Sequence, residues 1–220
     1  MSQFYELVSL LRRIGWRADY LLGDDACVCD VGVLACEEVR DRLGFAIANG
    51  NCAQEIETNF VALGAGSLRS GTAAGLSLHQ EGYETPDPPR LLFLYCVESD
   101  HDSGRTTVAS SRALLAPRHR QAVEATSVRF FRASGGWTPW RPVLEHRGPD
   151  SFVRFALPDA HRHVETQGPF SVDAIAQEIL VTQRLITWRP GLLVAVRNWS
   201  TVHGREPFFG TARRLFRLVF

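Results

Sequence analysis

Leu78-His79-Gln80-Glu81-Gly82 is the stretch on which the reading of this chain turns. Residues two apart in a β-strand share a face, so His79 and Glu81 present an imidazole and a carboxylate to one point, as transition-metal sites require. The pair alone is ambiguous. Among 7 histidines and 24 acidic residues such a spacing recurs by chance, and His163-Val164-Glu165 repeats it. The downstream pattern separates the two. A facial triad needs a third ligand from a strand across a barrel. The chain between His79 and His203 has room for several intervening strands, whereas little separates His203 from His163. His203 lies in Asn198-Trp199-Ser200-Thr201-Val202-His203-Gly204-Arg205, behind the β-rich run Leu192–Arg197 and ahead of the arginine-rich run Arg213–Phe220. That order predicts a ligand and a carboxylate-gripping arginine on neighbouring strands.

Working outward, the chain reads as many short strands with few helices. Leu91–Val97, Thr106–Ser110, Ser127–Ala133, Ser151–Leu157, Leu192–Arg197 and Arg213–Phe220 are β-rich, and Gly, Pro and Asp clusters separate them. Helical spacing covers Gln3–Ile14 and Val33–Ile47, the latter ending at the Asn49-Gly50-Asn51 turn. Arg112–Thr126 is helical in part, interrupted by Pro117, and Val172–Thr187 is capped by Ser171. Thr85-Pro86-Asp87-Pro88-Pro89 is a stiff loop rather than a linker, because a strand pattern follows it. The expectation is one domain over residues 1–220, mainly β with flanking helices: a helical flank at 1–50 and a jelly-roll core at 60–220, a cupin-like double-stranded β-helix.

Composition narrows the partners. The 220 residues carry 24 basic and 24 acidic side chains, so nothing marks a nucleic-acid or anionic-membrane surface. A small-molecule substrate is expected. All 24 basic residues are arginine. Without lysine, Schiff-base chemistry and the Lys-containing phosphate loop are excluded, while carboxylate recognition by a planar fork is favoured. Five cysteines at irregular spacing make a poor disulfide framework, and neither a leader pattern nor a membrane-length apolar run is present. These features predict a cytoplasmic protein. An assembly of identical subunits is compatible with them.

The ordered set His79, Glu81, Thr106, His203 and Arg213 or Arg214 resembles the iron(II)/2-oxoglutarate oxygenases. Within them it resembles the clavaminate synthase-like branch related to the taurine dioxygenase group. Cys96-Val97-Glu98-Ser99-Asp100-His101, closing in Thr106–Ser110, and Arg213-Arg214-Leu215-Phe216-Arg217, with arginines four apart, carry the same resemblance. It implies Fe(II) on His79, Glu81 and His203, with 2-oxoglutarate and dioxygen as cosubstrates. Thr106 and one of the two arginines would hold the far carboxylate of 2-oxoglutarate. Strand alternation puts Arg213 with Leu215 and Arg217, and a one-residue bulge would bring Arg214 inward instead.

The same resemblance implies oxidation of an amino acid or derivative in specialised metabolism, hydroxylation by default, with desaturation or ring closure by the same chemistry. Arg217 would meet the substrate, with Tyr83 and Glu84 at the pocket mouth and Trp137 and Trp140 on a loop that either closes over it or packs the rim. The branch often places an acid where Ala156 follows Arg154-Phe155, which leaves a basic substrate side chain without that partner and Arg154 as a structural residue. Glu81 disfavours halogenation. The competing reading is a cupin-like lyase, isomerase or dioxygenase without 2-oxoglutarate, against which Thr106 and Arg213 argue.

Overall fold

The computed structural model describes residues 7–23, 25–48, 57–62 as backbone only, 75–99, 104–132, 134–148, 150–159, 162–207 and 213–220. His101, His161, Cys52 and the Asn49-Gly50-Asn51 turn lie outside them.

Helix α1 (Leu7–Arg13) buries Leu7, Val8, Leu10 and Leu11, the i, i+3, i+4 stripe of a docked helix. Gly15, at φ 82°, stops it, and the N–H groups of Gly15 and Trp16 return to the carbonyls of Arg12 and Leu11. Helix α2 (Cys36–Ala48) opens with Glu37 and Glu38, which suit the positive end of its dipole, and buries Val39, Leu43, Ala46 and Ile47. Between the helices lie β1 (Ala18–Tyr20) and β2 (Ala26–Asp30). The segment before residue 50 is therefore not a purely helical flank. β2 belongs to the main sheet because its alternate residues Cys27 and Cys29 face the helices while Ala26 faces inward.

The main sheet has six antiparallel strands in the order β1, β2, β13 (Leu192–Arg197), β5 (Leu91–Ser99), β15 (Arg213–Val219) and β3 (Glu57–Ala62). A second sheet of four runs β12 (Arg184–Ile186), β6 (Thr106–Ser110), β14 (Thr201–Arg205) and β4 (Leu76–His79). Leu92, Leu94, Val194 and Val196 of the first sheet pack against Val108 and Ile186 of the second, and the opposite face of the first sheet holds α1 and α2. Each fully buried aliphatic side chain in such a layer contributes about 1.5–3 kcal/mol. A third cluster lies beyond the four-stranded sheet. There β7 (Ser127–Phe130), with β8 (Arg141–Pro142) and β11 (Val164–Gln167), and the hairpin β9 (Leu144–Arg147) and β10 (Asp150–Val153) close over Ala109 and Val202 together with α3 (Pro117–Glu124) and α4 (Val172–Leu180).

The expectation for Arg112–Thr126 holds: a 3-10 helix (Ser111–Leu115) and α3 are separated at the extended Ala116, and Pro117 takes the first position of α3, where its missing N–H would be unpaired anyway. The Ser171 cap holds, its hydroxyl accepting from the N–H of Ala174, but α4 ends at Leu180 and residues 184–186 form β12. Thr182 breaks the helix. Its hydroxyl donates to the Ile179 carbonyl at 2.8 Å and accepts the Ser110 N–H at 2.8 Å, which ties the chain to β6. Sequence patterning missed β1, β8, β9, β11 and β12, which are short, half-exposed or polar, and also β2 and β3.

A buried carboxylate joins the two sheets. Asp25 accepts from the hydroxyls of Ser110 at 2.7 Å and Ser200 at 2.6 Å and from Arg112 Nε at 2.6 Å, so the entry to β2, the end of β6 and the entry to β14 share one anchor.

Candidate metal centre

His79 ends β4, and Glu81 lies in the turn after it rather than in the strand, which corrects the expectation that one strand face presents both. His203 comes from the adjacent strand, not from across a barrel: β14 and β4 are antiparallel neighbours, with His203 directly opposite His79. Their ring centroids are 4.4 Å apart. Gly204 permits this approach, since a Cβ there would stand 2.7 Å from the Leu76 carbonyl oxygen and 3.2 Å from the Leu78 nitrogen. One ligand atom from each of His79, Glu81 and His203 falls within 4.8 Å of the others.

The protonation states suit a cation. His79 Nδ1 lies 2.8 Å from the Ser77 carbonyl oxygen, which can only accept, so the hydrogen belongs on Nδ1 and the Nε2 lone pair is left for a metal. Burial, followed by the charge of the neighbouring His203, pushes the His79 pKa down to about 3 and keeps the ring neutral. Burial alone would raise the Glu81 pKa. The hydrogen bond and charge of His203, with the Arg217 guanidinium, outweigh it and hold the carboxyl well below the usual range. Glu81 Oε1 lies 3.3 Å from His203 Nε2, and Oε2 accepts from Arg217 Nη1 at 2.8 Å. His203 Nδ1 is buried and has no hydrogen-bond partner among the described residues. Two neutral-capable imidazoles and an ionised carboxylate, one of them with an orphaned buried nitrogen, fit a borderline cation such as Fe(II).

The turn that carries Glu81 is held by amides. The Gln80 side chain donates to the Asn198 carbonyl at 2.8 Å and accepts the Phe155 N–H at 2.9 Å. Asn198 pairs with the Glu81 backbone in both directions, accepting its N–H at 2.8 Å and donating to its carbonyl at 2.9 Å.

Thr106 pairs in register with Arg205, two residues beyond His203 on β14, so it stands about 7 Å along the sheet from the His203 row. Arg213 reaches it from the opposite sheet, Nη2 donating to Thr106 Oγ1 at 3.0 Å. The expected arrangement of His203 and this arginine on neighbouring strands is thereby corrected to facing sheets, β14 belonging to one and β15 to the other. A register shift does occur between Arg214 and Leu215, but Leu215 then pairs with Cys96 rather than Val97. The extra residue is on β5, and β15 keeps its own alternation. Arg213 is buried, Arg214 exposed and Arg217 half-buried. Burial and the nearby charge of Arg205 lower the Arg213 pKa to about 10. Its Nε is a second buried donor without a partner among the described residues. The indole of Trp188 donates to the same Thr106 oxygen at 2.8 Å.

Tyr83 stacks edge-on 6.3 Å from His79, and burial pushes its hydroxyl up to about 12. Glu84 adjoins it, half-buried. Arg162, 3% exposed, lies with its guanidinium 5.0 Å from the Tyr83 ring. Arg154 is fully buried and structural, bonded to Glu145 at 2.6 Å and to the carbonyls of Tyr83 and Thr85. Ala156 bridges to His79. Trp137 and Trp140 pack on Arg129, each ring centroid 4.6 Å from it. The rival His163 and Glu165 are exposed, with Glu165 held by Arg129 Nε at 2.7 Å. Among the other described histidines, His119 lies 3.1 Å from Glu178 and His146 is exposed beside Ser151. Gln80, Asn198, Trp188 and Asp25 carry no motif of their own. Asn198 and Gln80 had a signal only in their place, in the segment that leads to His203 and between the first two ligands.

Residues 53–219 match the family model described as "Taurine catabolism dioxygenase TauD, TfdA family". A curated relative, tyrosine isonitrile desaturase of Pseudomonas aeruginosa, is 28% identical over 167 residues, 64% of this chain and 57% of that protein. Asparagine oxygenase in complex with Fe(II), 3-hydroxyasparagine and succinate superposes with a TM-score of 0.58 at 23% identity, over 74% of this chain and 56% of that one. The PvcB protein from Pseudomonas aeruginosa gives a TM-score of 0.59 at 21% identity, over 81% and 69%. A second structure of PvcB, an Fe, alpha-ketoglutarate dependent oxygenase from an isonitrile synthetic pathway, gives a TM-score of 0.57 at 21% identity over the same shares. The chain thus spans little more than half the length of the desaturase and of asparagine oxygenase. No helix among the described residues is long and apolar enough to cross a membrane.

Proposed function

From the premise that the chain belongs to the taurine catabolism dioxygenase TauD, TfdA family, with which residues 53–219 match, we propose that it is an Fe(II)- and 2-oxoglutarate-dependent oxygenase of a small amino-acid-like substrate. The observation that carries this is the pairing of two sites: the His79, Glu81, His203 cluster, and the buried Thr106–Arg213 contact between the facing sheets, about 7 Å along β14 from the His203 row. A five-carbon keto diacid has its metal-chelating end and its far carboxylate separated by about that step. The two facing sheets are read as the double-stranded β-helix of such enzymes, and the 220 residues as one such domain.

Bound Fe(II) would supply the reaction with dioxygen that decarboxylates 2-oxoglutarate to succinate and removes hydrogen from the substrate. His79, Glu81 and His203 would hold it through two imidazole nitrogens and a carboxylate oxygen. Arg213 and Thr106 anchor the far carboxylate by a charge-assisted fork and a hydroxyl donor. Arg217, which rests on Glu81 at 2.8 Å, meets the substrate's own carboxylate, with Tyr83 and Glu84 at the mouth. Two relatives are named for amino-acid substrates, asparagine and a tyrosine isonitrile, which supports that class. Because one of them is a desaturase, both hydroxylation and desaturation stand as outcomes of the same hydrogen removal. Among the described residues Cys27, Cys29, Cys36 and Cys96 are free thiols, which supports the reading of a reducing, cytoplasmic setting.

The test is anaerobic addition of Fe(II) and then 2-oxoglutarate to metal-free protein. A visible absorption band that needs both, followed by succinate release on admitting air with an amino-acid panel, is expected. Absence of the band, with His79→Ala and His203→Ala binding iron as the parent does, overturns the reading.

A further inference from the structure

The Thr106 hydroxyl receives two hydrogen bonds from groups that can only donate: Arg213 Nη2 at 3.0 Å and Trp188 Nε1 at 2.8 Å. A hydroxyl oxygen has two lone pairs, and both are now taken. Its hydrogen must therefore point away from both donors, and no acceptor among the described residues receives it. All three side chains are buried, with Thr106 2%, Trp188 2% and Arg213 5% exposed, so water is a poor substitute. Arg213 Nε is a second buried hydrogen on the same spot without a partner among the described residues.

Resting on the oxygenase reading, we infer that Trp188 is a positioning residue: it closes the second lone pair of Thr106 Oγ1, so that the far carboxylate of the cosubstrate meets donors only. With Arg213 alone, the hydroxyl keeps one lone pair free and can turn it toward the ligand, where it would repel a carboxylate oxygen. With the indole in place that rotamer is lost. Trp188 is itself fixed by the strand before it, since Ile186 of β12 pairs with Thr106 in register and the indole enters the core between the sheets. The Trp188 N–H thus acts on the ligand through another residue and without touching it.

A double-mutant cycle isolates this effect. Calorimetric titration of 2-oxoglutarate into the anaerobic Fe(II)-loaded chain would compare the parent, Trp188→Phe, Thr106→Val and the double variant. Trp188→Phe is expected to weaken binding about three- to ten-fold, the worth of one neutral hydrogen bond, and to leave affinity unchanged when combined with Thr106→Val. Its iron affinity should equal that of the parent. Equal weakening in both backgrounds would mean that the indole only packs, and would overturn the inference while leaving the oxygenase reading intact. A parent that binds no 2-oxoglutarate overturns that reading and this inference with it. If Trp188→Phe does not fold, 3-benzothienylalanine at position 188 keeps the bicyclic shape, removes the N–H and serves in the same cycle.

Discussion

Asn198 grips the peptide of Glu81 from both sides, accepting its N–H at 2.8 Å and donating to its carbonyl at 2.9 Å, while the same amide donates to the Pro89 carbonyl at 2.8 Å. Because Asn198 sits at the entry to β14, this contact sets the turn carrying the carboxylate against the strand carrying His203. Asn198→Ala leaves buried backbone groups unpaired. It should cost about 1–3 kcal/mol in thermal or denaturant unfolding. Fe(II) affinity, read by titration, should fall about ten-fold or more, as removal of an outer support does in metal sites. Unchanged iron affinity would show that the turn keeps its position without the amide.

His79→Ala and His203→Ala should each lower Fe(II) affinity well beyond Asn198→Ala, since each removes a donor rather than its support. His163→Ala should change nothing, because its neighbour Glu165 already serves Arg129 at the surface. The three titrations side by side decide between the two His-x-acid pairs.

Arg213 and Arg214 should part company. Arg213→Met is expected to weaken 2-oxoglutarate binding about 10- to 100-fold, the range for losing a hydrogen bond to a charged group, and to leave iron binding near the parent value. Arg214 is exposed, and Arg214→Met should stay within about two-fold in both. The reverse order would mean that β15 turns its other face to the site.

Gly204→Ala tests the strand contact beneath the histidine pair. The added Cβ meets a backbone oxygen at 2.7 Å, which no side-chain rotation relieves, so β4 must move away from β14. A destabilisation of about 1–3 kcal/mol is expected, typical of an overpacked position. Weaker iron binding should accompany it, because His79 moves with β4.

The buried thiols predict an alkaline limit. Burial pushes Cys27 and Cys29 up to about 12 and Cys96 to about 11, against about 9 for an ordinary thiol. The folded state therefore keeps protons that the unfolded chain releases. This contribution is complete below about pH 9 and is lost as pH rises through the window from 9 toward 12. Stability measured against pH should decline there, and the decline should shrink in Cys27→Ala. In the native state at pH 8, alkylation followed by mass spectrometry should leave these three cysteines unmodified.

The donor inventory and its order were legible along the chain: His79, Glu81, Thr106, His203 and an arginine on a terminal strand. So were several of the longer strands, as apolar, β-branched runs between turn residues; β6 and β13 run over the spans their patterning predicts, whereas β2 and β3 were not read. Strands of three or four polar residues left no such trace, and β12 was absorbed into a helical pattern that only the bonds of Thr182 interrupt.

By itself the sequence determined which chemical groups are present, that no lysine competes with arginine for a carboxylate, and that a metal site was the economical reading of two histidines and an acid. Tertiary structure decided the rest. It gathered His79, Glu81 and His203 within 4.8 Å of one another and left His163 and Glu165 at the surface. It turned Arg213 inward and Arg214 outward by placing the bulge on β5, and it set Trp188 against Thr106 and Asn198 against Glu81, partners 82 and 117 residues away. The physical reason is that spacing governs only which residues share a face of one strand. Desolvation, lone-pair occupancy and the approach of a second sheet arise only when distant segments pack.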